Sequence, residues 1–288
     1  MKSPLDWLRE PNLEKMDVDG ESRLQLHRKI LQKKRMLRDV FNEFHHLFKK
    51  LDHQYFSGSG IEIELGAGIS PMRDSYPEVL ATDIIKEPYL DRVIDAEAMN
   101  LADNSVRTIY GQNCFHHFPH PDRFLNELER VLVPGGGAIL LEPYYGPFAS
   151  LLYKRLFHSE GFDMGYPTWE TPVAGLMIGA NQALSYIVFI RDRKEYERKH
   201  PTLQIVHQEL AGNYLRYLLS GGLNFRQILP DAFAGIIELC ERFISPLNRW
   251  IALHHIIVIR KVGVSLIQSD VDMEGAALAV PSPLQGEG

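Results

Sequence analysis

Glu64, Gly66 and Gly68 follow one another at the end of an apolar run, IEIEL, where a glycine pair lets the backbone turn tightly and approach a ligand with no Cβ in the way. Asp83 closes a second apolar run, VLATD, and Asp95 closes a third, DRVID. His116 and His117 come just after a fourth, VRTIYGQ, and Glu142, Tyr144 and Tyr145 stand at the end of a fifth, GAILLEP. These residue types support two kinds of chemistry. Carboxylates hold cationic and hydroxyl groups, and a histidine titrating near neutrality takes a proton from a hydroxyl.

The loop after Glu64 is a poor cradle for a diphosphate. Dinucleotide sites carry a third glycine and aim a helix N-terminus at the phosphates. Here Ser70 takes that place, Ser70-Pro71 reads as N-cap plus first helical residue, and Pro77 stops the helix after about two turns. Glu64 would repel a diphosphate and attract an ammonium group. Strand, carboxylate and loop therefore favour S-adenosylmethionine, which carries an ammonium and a sulfonium and no phosphate. Asp83 stands where a doubly wound sheet meets ribose hydroxyls, and Asp95, with the backbone of Ala96, suits the exocyclic amine of an adenine.

The five runs read as strands, and IALHHIIVIR at 251–260 and TLQIVHQEL read as the last and sixth strands. Pro121 opens an amphipathic helix with Phe124, Leu125, Leu128, Val131 and Leu132 on its buried face, ended by Pro134 and three glycines. The ordered set ELGAGIS, Asp83, DAEAMNLADNSV and HHFPHPDRFLNELERVLVPGGGAILLEP, over residues 58–145, resembles the class I S-adenosylmethionine-dependent methyltransferases, particularly their small-molecule branch. The resemblance implies an α/β, Rossmann-like fold with a seven-stranded, mostly parallel sheet, an N-terminal helical cap and an insertion after strand five. It implies a strand order of 3-2-1-4-5-7-6 with strand seven antiparallel, and cofactor contacts from Glu64, Gly66, Ala67, Gly68, Asp83, Ile84, Asp95, Ala96 and Asn113. HSEGFD, GANQALSYIVFIRDRKEYERKHP and YLLSGGL are similar to an uncharacterised bacterial group of class I methyltransferases associated with polysaccharide gene clusters, which implies a glycan or lipid-linked sugar acceptor.

At 288 residues and 45% hydrophobic content, the chain accommodates one domain of about 200 residues plus embellishments. The expected division is a helical cap over 1–57, a cofactor-binding core over 58–145, an acceptor-binding insertion with the rest of the sheet over 146–261, and a disordered tail over 262–288. Two cysteines, Cys114 and Cys240, exclude a disulfide framework and a cysteine-rich zinc site, and point to a reducing cytoplasm. MKSPLDWLREPN lacks the apolar core of a secretory signal. The apolar stretch at 173–190 is interrupted by Asn181, Gln182 and Ser185 and reads as buried protein.

A net charge of −6 argues against a nucleic-acid partner. Residues 22–50 nevertheless hold nine Lys or Arg against Asp39 and Glu43. With Leu26, Ile30, Leu37, Phe41, Phe44, Phe48 and Leu51 at helical spacing, residues 22–51 read as one amphipathic helix with a basic outer face. It either covers the cofactor cleft or makes a peripheral contact with an anionic membrane.

Methyl transfer from a sulfonium is an in-line displacement, so the protein must align the nucleophile and, for a hydroxyl, remove its proton. One of His116 and His117 should face the cleft, and His117 is the first candidate base, with Glu142 and His158 in reserve. His158, Glu160 and Asp163 form a polar cluster that holds a metal, orients an acceptor hydroxyl or is ordinary surface; no metal is assigned to it. Arg191 reads as part of a helix-start charge cluster or as a grip on an acidic sugar, and Ser220-Gly221-Gly222 as a hinge or a plain helix stop. Two other functions compete with methyl transfer to a small hydroxylated acceptor. Glu64 and the missing third glycine weigh against a nicotinamide-dependent oxidoreductase, and the retained carboxylates weigh against a non-catalytic partner of the same fold.

Overall fold

Successive residues of a strand point to opposite faces, so a strand that is apolar throughout must be covered on both sides. The computed structural model describes residues 6–11, 21–155, 160–173, 175 and 179–263, and it contains such strands. Strands β1 (Ile61–Leu65), β2 (Val79–Asp83), β3 (Arg92–Val93), β4 (Val106–Gln112) and β5 (Leu132–Pro143) run parallel. Beyond them, β6 (Leu203–Leu210) forms the far edge, and β7 (His254–Lys261) lies antiparallel between β5 and β6. The order is β3-β2-β1-β4-β5-β7-β6, the expected class I methyltransferase arrangement.

Along β5, Ala138 and Leu140 share a core with Phe124, Leu125 and Leu128 of α3 (Pro121–Val131). The alternate residues Ile139 and Leu141 share the opposite core with Val40, Phe44, Phe48 and Leu51 of α2 (Arg35–Tyr55). Helix α2 is also tied to the sheet by charge. Lys49 Nζ lies 2.7 Å from Glu62 on β1, and the fully buried Asp52 accepts hydrogen bonds from Arg107 (2.5 Å) and Thr108 (2.7 Å) on β4.

The single helix expected over 22–51 is two, α1 (Glu21–Lys33) and α2. Lys34 leaves helical geometry at φ −98°, ψ 91°, because its ammonium turns inward. Its Nζ donates to the carbonyls of Gly222 (2.8 Å) and Phe225 (2.5 Å) and pairs with Glu10 at 2.9 Å. Asp231 then caps α2 from a distance, accepting from the amides of Arg35 and Met36. Lys34 and Lys49 are both buried, so the basic face is smaller than the sequence pattern suggests.

Two local expectations also change. Ser70 does not cap a helix: Pro71 is the extended residue before a single 3-10 turn, Met72–Asp74. Pro134 and its glycines do not follow a helix but lie inside β5, since Leu132 is already extended and pairs with Val106; the register shift after Val106 absorbs the extra residues. Ser220-Gly221-Gly222 is the helix stop, one of its two expected readings: the helix Leu215–Leu219 ends at Ser220, and Gly221 turns at φ +75°, where a Cβ would fall 2.3 Å from the Phe225 carbonyl.

After β5 come α4 (Pro147–Arg155), a loop, α5 (Leu184–Tyr186) running into a π-helical turn at Ile187–Arg191, and α6 (Arg193–Lys199). Between β6 and β7 lie α7 (Leu215–Leu219), α8 (Ala234–Ile244) and α9 (Asn248–Ile251). Among the described residues, no helix is long and apolar enough to cross a membrane. His158 and the tail from 264 onward lie outside the described residues.

Candidate active site

The C-terminal ends of β1, β2, β4 and β5 bring the predicted residues to one edge of the sheet. Gly66 and Gly68 both adopt positive φ, +63° and +48°. A Cβ on Gly66 would stand 2.9 Å from that of Cys114, so the loop and the segment after β4 meet where only glycine fits. Ala67 is buried between the two glycines and donates its amide to the Thr82 carbonyl. Across Gly68 lies Leu24 of α1, and Arg28 of the same helix stacks 3.8 Å from the centre of the Tyr89 ring, so α1 borders the glycine loop.

Glu64 is buried, and its Oε2 accepts from the Met72 amide at 2.7 Å. Desolvation raises its pKa from 4.5 to about 8; the Met72 hydrogen bond opposes this, and the charges of Asp74 and Asp83 add to it. Asp83 accepts from the amides of Gly68 (3.0 Å) and Ile85 (3.1 Å), which leaves each carboxylate oxygen a further lone pair. Burial raises its pKa too, against those hydrogen bonds. Ile84, beside it, is exposed. Asp95 is exposed and caps a turn through the Glu97 amide, with Ala96 buried next to it.

The end of β4 carries two buried acceptors without partners, Gln112 Oε1 and Asn113 Oδ1. Asn113 sits at φ +51° with its amide donating to the Leu141 carbonyl. A glycine cradle, a buried carboxylate and unpaired acceptors fit a cofactor that brings an ammonium and hydroxyl and amine donors.

Glu142 is fully buried, and its carboxylate organises the segment after β4. It accepts from the amides of Cys114 (3.0 Å), Phe115 (2.9 Å) and His116 (3.4 Å), and lies 2.6 Å from His116 Nδ1. His116 is thereby fixed in the interior. Its Nε2 faces Glu160 Oε2 at 3.3 Å. Burial alone would lower the His116 pKa, but Glu142 and Glu160 outweigh it and raise it to about 10. His117 is half-buried, with its ring centre 4.2 Å from that of His116. The histidine that packs is thus His116, and His117 is the more open of the two.

Of the expected cluster of His158, Glu160 and Asp163, His158 lies outside the described residues. Asp163 caps its own turn at Gly165, and Glu160 joins His116 and His117 instead. Sequence reading missed this grouping, although the paired histidines after β4 were its signal. Tyr144 and Tyr145 pack against each other, and Tyr145 also packs on Tyr186 and His255. Arg191 is committed to the Met164 and Tyr166 carbonyls and to Asp192, as a charge cluster.

Replacing Glu142 with alanine strips four donors of their acceptor inside the fold. Urea unfolding of Glu142→Ala should show a loss of about 3–5 kcal/mol, the scale for removing one partner of a buried ion pair. A loss under about 1 kcal/mol would mean that water replaces the carboxylate.

Residues 66–140 match the family model described as a methyltransferase domain. No curated protein matches the chain. Among solved structures, the chain is similar to a methyltransferase in complex with the Trm112 methyltransferase activator from Haloferax volcanii, at 14% identity and a TM-score of 0.47, over 85% of this chain and 97% of that one. It is similar to an S-adenosylmethionine-dependent methyltransferase from Methanosarcina mazei, at 16% identity and 0.41, over 74% and 97%. It is also similar to a phosphoethanolamine N-methyltransferase from Haemonchus contortus in complex with S-adenosylmethionine, at 13% identity and 0.41, over 74% and 53%. Residues 66–140 thus carry a methyltransferase domain set in a sheet of class I order, which supports an S-adenosylmethionine-dependent methyltransferase.

Proposed function

We propose that the enzyme methylates a hydroxyl oxygen of a sugar, glycan or similar small acceptor. The observation that carries this reading is the His116–His117–Glu160 group at the edge of β4, beside the glycine loop and braced from beneath by Glu142. Bound S-adenosylmethionine supplies an electrophilic methyl group on its sulfonium. Glu64 and the loop of Gly66, Ala67 and Gly68 receive its amino-acid end, Asp83 with Ile84 the ribose, and Asp95, Ala96 and Asn113 the adenine side. An acceptor hydroxyl reaching the β4–β5 edge loses its proton to the histidine–glutamate group, with His117 the member open to it.

His117→Ala should lower turnover on the true acceptor by roughly 10²–10⁴ and leave S-adenosylmethionine affinity nearly intact. Wild-type turnover in that variant would remove His117 from the chemistry. Loss of cofactor affinity would move it into the adenosyl pocket.

Glu64 makes a second expectation specific. With a pKa of about 8, it holds a proton at pH 7, whereas a cationic amino group favours the ionised carboxylate. Cofactor binding should therefore release close to one proton near pH 6–7, and near pH 9, where Glu64 is already ionised and the free amino group is mostly neutral, the release should give way to uptake. Calorimetry in buffers of different ionisation enthalpy reads this number directly. Equal release at both pH values would place the ammonium elsewhere.

A lipid-linked acceptor is favoured by α8 and the turn after it. Ile236, Leu239, Phe243, Leu247 and Trp250 stand exposed at helical spacing, Phe243 at 86%. Arg249 lies among them, Arg242 is paired with Glu238, and α4 beside α9 adds Lys154 and Arg155. An apolar stripe with a cationic border fits an anionic bilayer surface. The contact expected from the N-terminal helices is a weaker fit, because the apolar face of α2 is buried. Vesicles of phosphatidylglycerol and phosphatidylcholine should sediment the wild type, and Phe243→Glu should lower the bound fraction more than tenfold. No sedimentation, with a dimer that the variant abolishes, would assign the stripe to a second copy.

A further inference from the structure

His116, His117 and Glu160 each offer one ligand-type atom, and all three atoms lie within 4.8 Å of one another. Among the described residues no other His, Cys, Asp or Glu group comes together in this way. The two polar contacts of the His116 ring are unequal. Nδ1 is 2.6 Å from Glu142, while Nε2 is 3.3 Å from Glu160. Charge-assisted N–H···O bonds close to about 2.7–2.9 Å, so the first contact is a full bond and the second is a longer hydrogen bond, whose proton a bound cation would replace. Two atoms that each ligate one cation at about 2.0–2.2 Å stand roughly 3–3.5 Å apart, which is the spacing of the second contact.

The support behind His116 has the same character. A ligating imidazole is usually held at its other nitrogen by a carboxylate, which fixes the tautomer and the ring plane. Glu142 occupies that place and is itself held by the Cys114 and Phe115 amides, so Nε2 is aimed toward Glu160 before any ligand arrives. Two imidazoles beside one carboxylate suit a borderline transition metal and are a poor match for Mg²⁺ or Ca²⁺, which take oxygen ligands.

We propose that His116 Nε2, His117 and Glu160 bind one divalent transition-metal cation, Zn²⁺ or Mn²⁺, with Glu142 as the outer carboxylate that orients His116. Three protein ligands leave a coordination position open, as in catalytic rather than structural sites. The assignment deepens the methyl-transfer reading on one point: an acceptor hydroxyl bound at the open position becomes more acidic, its O–H bond breaking as the proton passes to solvent water. With the cation bound, His117 would be a ligand and not the base; without it, His117 takes the proton itself. The binding itself depends on no acceptor.

The test uses the full chain, treated with chelator and dialysed, and needs no methyl transfer. ZnCl₂ is titrated calorimetrically and CoCl₂ by visible absorption, against the wild type and the variants His117→Ala and Glu160→Gln, with circular dichroism confirming that each variant folds. One equivalent of Zn²⁺ should bind the wild type, Co²⁺ should develop the d–d bands of a nitrogen and oxygen site, and affinity should fall at least tenfold in each variant. His117 is half-buried, so its variant keeps the test open should Glu160→Gln fail to fold. No heat beyond dilution would overturn the proposal. Unchanged affinity in a folded variant would also overturn it, by placing the cation at other histidines. A protein that binds Zn²⁺ at this group yet methylates no hydroxyl would refute the acceptor reading and leave the metal site standing.

Discussion

A charged group sealed inside a fold must be met by enough donors to replace water, and Glu142 is the place where this protein meets that requirement. Three backbone amides and one imidazole converge on its carboxylate, and every one of them belongs to the segment just after β4. The consequence is geometric. The turn holding Phe115, His116 and His117 is tied to the end of β5 through a single buried side chain.

The glycine loop leans on the same construction. Gly66 packs against Cys114, whose amide is one of the donors to Glu142, so the glycine loop and the histidine turn are in contact through one residue. Asp83 adds a link from the other side by accepting the Gly68 amide. The glycine loop and the histidine turn are therefore braced as one piece. Water-free packing at Cys114 also keeps its thiol protonated, since burial pushes its pKa well up.

Charge pairing does comparable work at the N-terminal helices. Lys34 is drawn out of helical geometry by two carbonyls of the turn around Gly222, and the break lets α1 lie along the glycine loop while α2 covers the sheet. A straight helix would have carried Leu24 away from Gly68. The exposed stripe of α8 shows the reverse case, an apolar surface left open within the same chain where the others are covered.

What the sequence determined by itself is the set of strands and the groups at their ends. Runs such as VLATD and VRTIYGQ coincide with β2 and β4 residue for residue, because short segments rich in apolar and β-branched residues between turn residues favour buried extended backbone. The resemblance over 58–145 carried the strand order, which periodicity alone does not contain. Only the tertiary structure decided the partners. Glu142 and Glu160 reach His116 from 26 and 44 residues away, and the carbonyls that break the helix at Lys34 lie 188 and 191 residues from it. Helical spacing records which face is apolar, but neither which distant carbonyl claims a lysine nor whether a face such as that of α8 is covered. Those outcomes depend on the desolvation of particular polar groups brought together by the finished sheet.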